Sequence, residues 1–172
     1  MNLVLENIRT RRSVRKFKPC QVEQDKLDLI LEAGTWAPTA MGKQSPKIIA
    51  VQKPEEVAKV VELNAKFLGT QNNPYYGAPT ILLVLTAPCG TSEEDGSCVL
   101  QNMMLAAHSQ GLATCWIHRE KQMFDCDEVK ALLKAWGIEE ELVGVGSLAL
   151  GYADCDLPDP KPRKEDYIVK VL

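Results

Sequence analysis

The sequence predicts an α+β fold in which a mixed β-sheet is flanked by helices. Apolar segments recur at helical spacing, short β-prone runs lie between them, and their order is not a clean βαβ alternation. After the acidic Glu23 and Asp25, which suit a helix N-terminus, Leu27, Ile30, Leu31 and Gly34 mark the first helix, and Pro38 ends it. Ile48-Ile49-Ala50-Val51 reads as a strand. Pro54 opens a second helix where a missing N–H is harmless, with Val57, Val60 and Val61 on its buried face.

Ile81 to Leu85 is continuously apolar, as expected of a strand covered on both faces. Between Gly96 and Gly111 lies the most apolar helix of the chain, and its composition predicts burial in the core or against another subunit. Ala113–Ile117 reads as a strand, Asp127–Trp136 as an amphipathic helix stopped by Gly137, and Val143–Leu150 as a strand containing glycines. The tail carries Pro158, Pro160 and Pro162 and finishes in the β-prone Tyr167-Ile168-Val169-Lys170-Val171. Such an extension suits pairing with a partner chain better than packing on its own domain.

At 172 residues, with no repeat and no Gly/Ser linker, the chain is expected to be one domain spanning 1–172. Hydrophobic residues at 45% against 25% charged argue against disorder. No apolar run approaches the roughly 20 residues that span a bilayer, and Glu6 arrives too early for a signal peptide, so a cytoplasmic location is expected. The six cysteines form no CxxC pair, and most of them read as reduced, small apolar side chains. Two histidines exclude a histidine-rich metal centre.

Charge is uneven. Residues 9–18 hold Arg9, Arg11, Arg12, Arg15, Lys16 and Lys18 with no acidic residue; removing those six from the net −3 leaves −9 on the rest. A nucleic-acid binder needs a broader basic surface, whereas a compact knot fits one small anion. Guanidinium forks match phosphate oxygens, and the Ser13 hydroxyl adds a neutral donor. A second segment, Ala33 to Pro46, combines small, polar and proline residues in a loop suited to a flat ligand.

Together these segments resemble the nitroreductase family of flavoproteins, where an RRS-type motif is followed, after one helix, by an APS-x-x-N-x-Q-P-like loop and a strand. Gly111-Leu112-Ala113-Thr114-Cys115-Trp116-Ile117 is similar to the family's GLGTCWI segment, and Gly151-Tyr152 and Lys161-Pro162-Arg163 follow in order. The resemblance implies FMN as cofactor. Arg11, Arg12, Ser13 and Arg15 match the first FMN-contacting stretch, with Arg11 and Ser13 on phosphate and Arg15 near the ring's N1/O2 edge. Thr39, Ala40 and Gln44 match a loop that lines the flavin from the partner subunit. Trp116, Ile117 and His118 are carried over as cofactor-binding positions, and Lys161 and Arg163 as a late basic pair on the phosphate.

Gly42 stands where many relatives have asparagine, which removes a side-chain contact, and Asn72 and Asn73 are alternative candidates for another. His118 either sits beside the ring or caps the strand in solvent, and His108 reads as a packed or interface histidine. The chain is short for inserted lid helices, so an open flavin face is expected.

The implied activity is NAD(P)H-dependent, ping-pong reduction of electron-poor acceptors such as nitroaromatics or quinones. No catalytic side chain and no metal are required. A homodimer burying the 97–110 helix, with two FMN sites at the interface, follows from the same resemblance. The alternatives are a specialised dehalogenase or dehydrogenase of the family, or a non-catalytic flavin- or anion-binding regulator.

Overall fold

The structure, a computed structural model, describes residues 2–171. Among the described residues six α-helices, α1 (Leu3–Thr10), α2 (Gln24–Thr35), α3 (Pro54–Leu68), α4 (Ser92–Ser109), α5 (Glu120–Met123) and α6 (Asp127–Ala135), surround four strands, β1 (Pro46–Val51), β2 (Thr80–Thr86), β3 (Ala113–Ile117) and β4 (Val143–Gly151). The α+β expectation holds, and the predicted elements appear with shifts of a few residues at their ends.

The sheet order is β1-β2-β4-β3, and each neighbouring pair runs antiparallel. The expected mixed sheet reduces to one parallel bridge, Ser13 to Thr114, beside β3. The connections explain this. The segment after α3 returns the chain along the helix, so β2 starts where β1 ended and Ile81 faces Val51.

Alternation along the sheet builds two cores. Ile81, Leu83, Leu85, Cys115 and Ile117 pack with Val60 of α3, Met123 of α5 and Val129 and Leu133 of α6. Leu82, Val84, Leu148 and Leu150 pack with Leu27 and Ile30 of α2 and Val99, Leu100 and Met103 of α4. A central strand covered on both faces explains why β2 reads as an unbroken apolar run.

The apolar helix expected at 97–110 is buried on one side within the chain, between its own sheet and α2. It lies close to the sheet because residue 96 is glycine: a Cβ there would meet Val145 Cγ2 at 2.6 Å. The first helix, α1, escaped the sequence reading. Asn2 caps it by accepting from the Val4 and Leu5 N–H groups, yet Leu3, Val4, Leu5 and Ile8 are all exposed, so no buried stripe announces it.

After Gly151 the chain bridges Phe17 through Ala153, and from Asp154 to Val171 every residue is exposed. The β-prone end forms no strand within the chain, and Tyr167, Ile168, Val169 and Val171 face solvent. All six cysteines are free thiols; Cys115 is buried, Cys98 and Cys126 are half-buried, and Cys20, Cys89 and Cys155 are exposed. Among the described residues, no helix is long and apolar enough to cross a membrane.

Candidate functional site

The basic cluster lies along the free edge of β3. Helix α1 stops at Arg11, whose N–H bonds the Asn7 carbonyl at 3.2 Å, and the chain then runs extended. Buried Val14 and Phe17 pin this segment to the core, and the Val14 N–H donates to the Thr114 carbonyl at 3.0 Å. Arg11 and Ser13 are half-buried beside it, while Arg15 is exposed.

The cationic side chains have different surroundings. Arg12 Nη1 donates to the carbonyls of Arg9 and Arg11 at 2.7 Å each, and its Nε to the Pro158 carbonyl at 3.1 Å, tying the start of the tail to the cluster. Lys16 is ion-paired with Asp154 at 2.9 Å. Arg11 is different. Its Nη1 is buried and, among the described residues, has no hydrogen-bond partner. Burial pulls the guanidinium's pKa down, the neighbouring Arg12 charge adds to this, and Cys115 opposes it.

Arg11, Arg12, Thr114, Ala153, Leu157 and His108 border a cavity of about 200 Å³. His108, near the C-terminal end of α4, meets Thr10 Oγ1 through Nε2 at 2.8 Å. Thr10 Oγ1 donates to the Glu6 carbonyl, so it accepts from the imidazole. Burial lowers the His108 pKa first, and Arg11 and Arg12 lower it further.

The second predicted segment sits elsewhere. Thr39 Oγ1 accepts the Gln44 N–H at 2.9 Å, closing a loop in which Met41, Gly42 and Gln44 have φ of 55°, 65° and 50°. Residue 42 thus takes a left-handed conformation that glycine adopts without strain. The Ala40 N–H donates to Asp95 Oδ1 at 3.0 Å, and Ser45 Oγ to Asp95 Oδ2 at 3.2 Å. The sequence reading missed Asp95. An acidic residue in the first turns of a helix is ordinary, and only the folded loop shows what its carboxylate holds.

Beyond β3, His118 is exposed near Glu93, whose pKa its charge helps to lower after the larger effects of Lys121. Trp116 is packed inward: its Nε1 is buried and, among the described residues, has no hydrogen-bond partner, and it fills the space that a Cβ on Gly146 would need. Ile117 is buried in the core on the opposite face. Lys161 and Arg163 are exposed on the tail, and among the described residues neither has a hydrogen-bond or ion-pair partner. Asn72 and Asn73 border a groove of about 830 Å³ along α3, away from the Arg11 cavity; the Asn73 side chain accepts the Tyr75 N–H.

Arg11 and Ser13 therefore come together with Thr114, but Thr39, Ala40 and Gln44 do not join them. The cluster contacts the C-terminal end of α4 through Thr10 and His108, whereas the loop is fastened to Asp95 at its other end. A helix of 18 residues spans about 27 Å.

The model of the nitroreductase family matches residues 8–152. The chain belongs to the nitroreductase family. A solved nitroreductase with bound FMN from Bacteroides fragilis is 33% identical, with 99% of this chain and 100% of that one covered and a TM-score of 0.91. A nitroreductase with bound FMN from Desulfitobacterium hafniense is 26% identical, with 99% of each chain covered and a TM-score of 0.89. A relative from Methanothermobacter thermautotrophicus, provisionally named an NADH dehydrogenase/NAD(P)H nitroreductase, is 30% identical over 157 residues, covering 87% of this chain and 76% of its own. The nitroreductase match contains the whole basic cluster, the 39–45 loop and β3, and it stops before Lys161 and Arg163.

Proposed function

We propose that this chain is an FMN-dependent oxidoreductase that passes a hydride from NAD(P)H to electron-poor acceptors such as nitroaromatics or quinones in a ping-pong cycle. The observation that carries the reading is the covered, unpartnered Nη1 of Arg11. A buried guanidinium nitrogen with no acceptor is costly, and a phosphate oxygen supplies the missing charge and acceptor together. Ser13 stands two residues along the same edge as a second, neutral donor. When bound, FMN supplies the ring that accepts and releases the hydride.

The protein's own contribution is to bind and orient. Arg11 and Ser13 would hold the phosphate, with Lys161 and Arg163 reaching it from the exposed tail once that tail lies on a partner surface. Arg15 would face the ring edge, where a cation favours extra negative charge, and His118 lies at the far end of β3, about 13 Å along the strand from the Ser13–Thr114 bridge. No side-chain nucleophile is assigned.

The 39–45 loop would come from a second copy of the chain, because its own copy holds it at the opposite end of α4 from Arg11. A homodimer accounts also for the exposed Leu3, Val4 and Ile8 of α1 and for the apolar end of the tail. Titration of flavin-free protein with FMN, followed by anaerobic addition of NADH or NADPH and then a quinone, tests the reading. Tight FMN binding and bleaching of the flavin band, reversed by the quinone, are expected. Refusal of FMN, or bound FMN that neither nicotinamide reduces, would overturn it.

A further inference from the structure

We propose that Asp95 is the positioning residue that holds the 39–45 loop in its flavin-lining shape; this rests on the reading above, in which the loop serves the partner subunit's cofactor. Asp95 is 5% exposed, and its two carboxylate oxygens take donors from the two ends of the loop, the Ala40 N–H and the Ser45 hydroxyl. A carboxylate is acceptor-only and offers two oxygens, so a single buried side chain can clasp both ends. Charged acceptors make the stronger class of hydrogen bond.

The loop needs such a clasp. Met41 and Gln44 carry Cβ atoms yet have left-handed φ, a conformation that persists where the surroundings impose it. Met41 is 84% exposed, so packing does not impose it there. The loop's other bonds, from Gln44 to Thr39 Oγ1, Gly42 to the Thr39 carbonyl and Lys43 to the Ala40 carbonyl, are internal. Among the described residues, the contacts that fasten it to the rest of the fold by hydrogen bonds are those to Asp95 and the 3.4 Å bond from the Ala87 N–H to the Ser45 carbonyl.

The base of the clasp is rigid. Ser92 Oγ bonds the Ala87 and Cys89 carbonyls at 3.1 and 3.0 Å, tying the start of α4 to the end of β2. Gly96, the next residue after Asp95, lets the helix sit against Val145 with no room for a Cβ. The carboxylate is thus fixed relative to the sheet, and the loop is fixed relative to the carboxylate.

The test compares the full-length wild type with Asp95→Ala, Asp95→Asn and Gly96→Ala. The readouts are the FMN dissociation constant, the thermal midpoint of flavin-free protein and the rate of tryptic cleavage after Lys43 inside the loop. Asp95→Ala is expected to speed cleavage at Lys43 and weaken FMN binding by about tenfold, the scale of a lost hydrogen bond to a charged group. Asp95→Asn should restore most of both, because its amide oxygen still accepts the Ala40 N–H. Gly96→Ala disturbs the same helix without removing the carboxylate, and should lower the midpoint with a smaller change in FMN affinity.

Faster cleavage with unchanged FMN affinity would overturn the proposal, as would unchanged cleavage. So would an affinity loss in Gly96→Ala equal to that of Asp95→Ala at the same fall in midpoint. If Asp95→Ala does not fold, Ser45→Ala, which removes one of the two clasp bonds, carries the comparison, and wild-type cleavage and FMN affinity in Ser45→Ala decide against it. A wild type that binds no FMN removes the underlying functional reading, and the Lys43 cleavage rates still report separately on whether Asp95 holds the loop.

Discussion

Replacing Arg11 with alanine separates binding from folding, because the two should move in different directions. The guanidinium is half-buried, and its covered Nη1 has no partner among the described residues. In the flavin-free protein that nitrogen is desolvated without compensation, so its removal should leave folding stability unchanged or raised by up to about 1 kcal/mol. With FMN bound, the same group would make charge-assisted bonds to phosphate, worth about 1.5–3 kcal/mol, so Arg11→Ala should weaken FMN binding by about 10- to 150-fold. Lys18→Ala is the matched control: Lys18 is exposed and engages the fold through its backbone N–H, which donates to the Tyr152 carbonyl at 2.9 Å. Quenching of flavin fluorescence at fixed ionic strength measures the affinities, and urea unfolding of flavin-free protein measures the stabilities. Equal affinity losses in the two variants would refute the assignment of Arg11 to the phosphate. A stability loss of several kcal/mol in Arg11→Ala would refute the view that its buried nitrogen is uncompensated.

Gly96→Ala should lower stability by up to about 2 kcal/mol, since overpacking against Val145 costs about 1–3 kcal/mol and alanine's helix preference returns about 1; a raised urea midpoint would show that α4 can shift freely. His108 has a folded pKa below its unfolded value, from burial and then Arg11 and Arg12, so its contribution is fully present above about pH 6.5 and is lost as pH falls through the folded value. Thermal midpoints of the flavin-free protein should therefore fall less between pH 7 and pH 5 in His108→Gln than in wild type, and a steeper fall would contradict that sign. If the proposed homodimer forms, removing residues 156–172 should shift it toward monomer in light scattering and reduce FMN retention; a truncated chain that remains a dimer with unchanged FMN affinity would detach the tail from both roles.

Much of the fold was legible because each strand or helix that the sequence announced carries a covered face. Leu27, Ile30, Val60 and the Ile81–Leu85 run are buried, and burial leaves a periodic trace in the residues themselves. Helix α1 left no such trace, because none of its residues is buried. The strand directions were not legible either: the return of the chain after α3 depends on the 69–79 segment, whose composition does not encode a direction.

The site divides in the same way. The family of the chain, and the candidate anion grip and candidate flat-ligand loop, could be read from the sequence alone, because residue types at fixed spacings carry their chemistry wherever they fold. The tertiary structure decided which cation remains unpartnered. It turned Arg12 toward the Pro158 carbonyl, paired Lys16 with Asp154 and left Arg11 Nη1 covered and, among the described residues, without a partner. It also placed the 39–45 loop at the other end of α4 and fastened it to Asp95, a residue 50 positions or more away in the chain. Hydrogen-bond partners and desolvation are properties of neighbours in space, and only the folded chain brings those neighbours together.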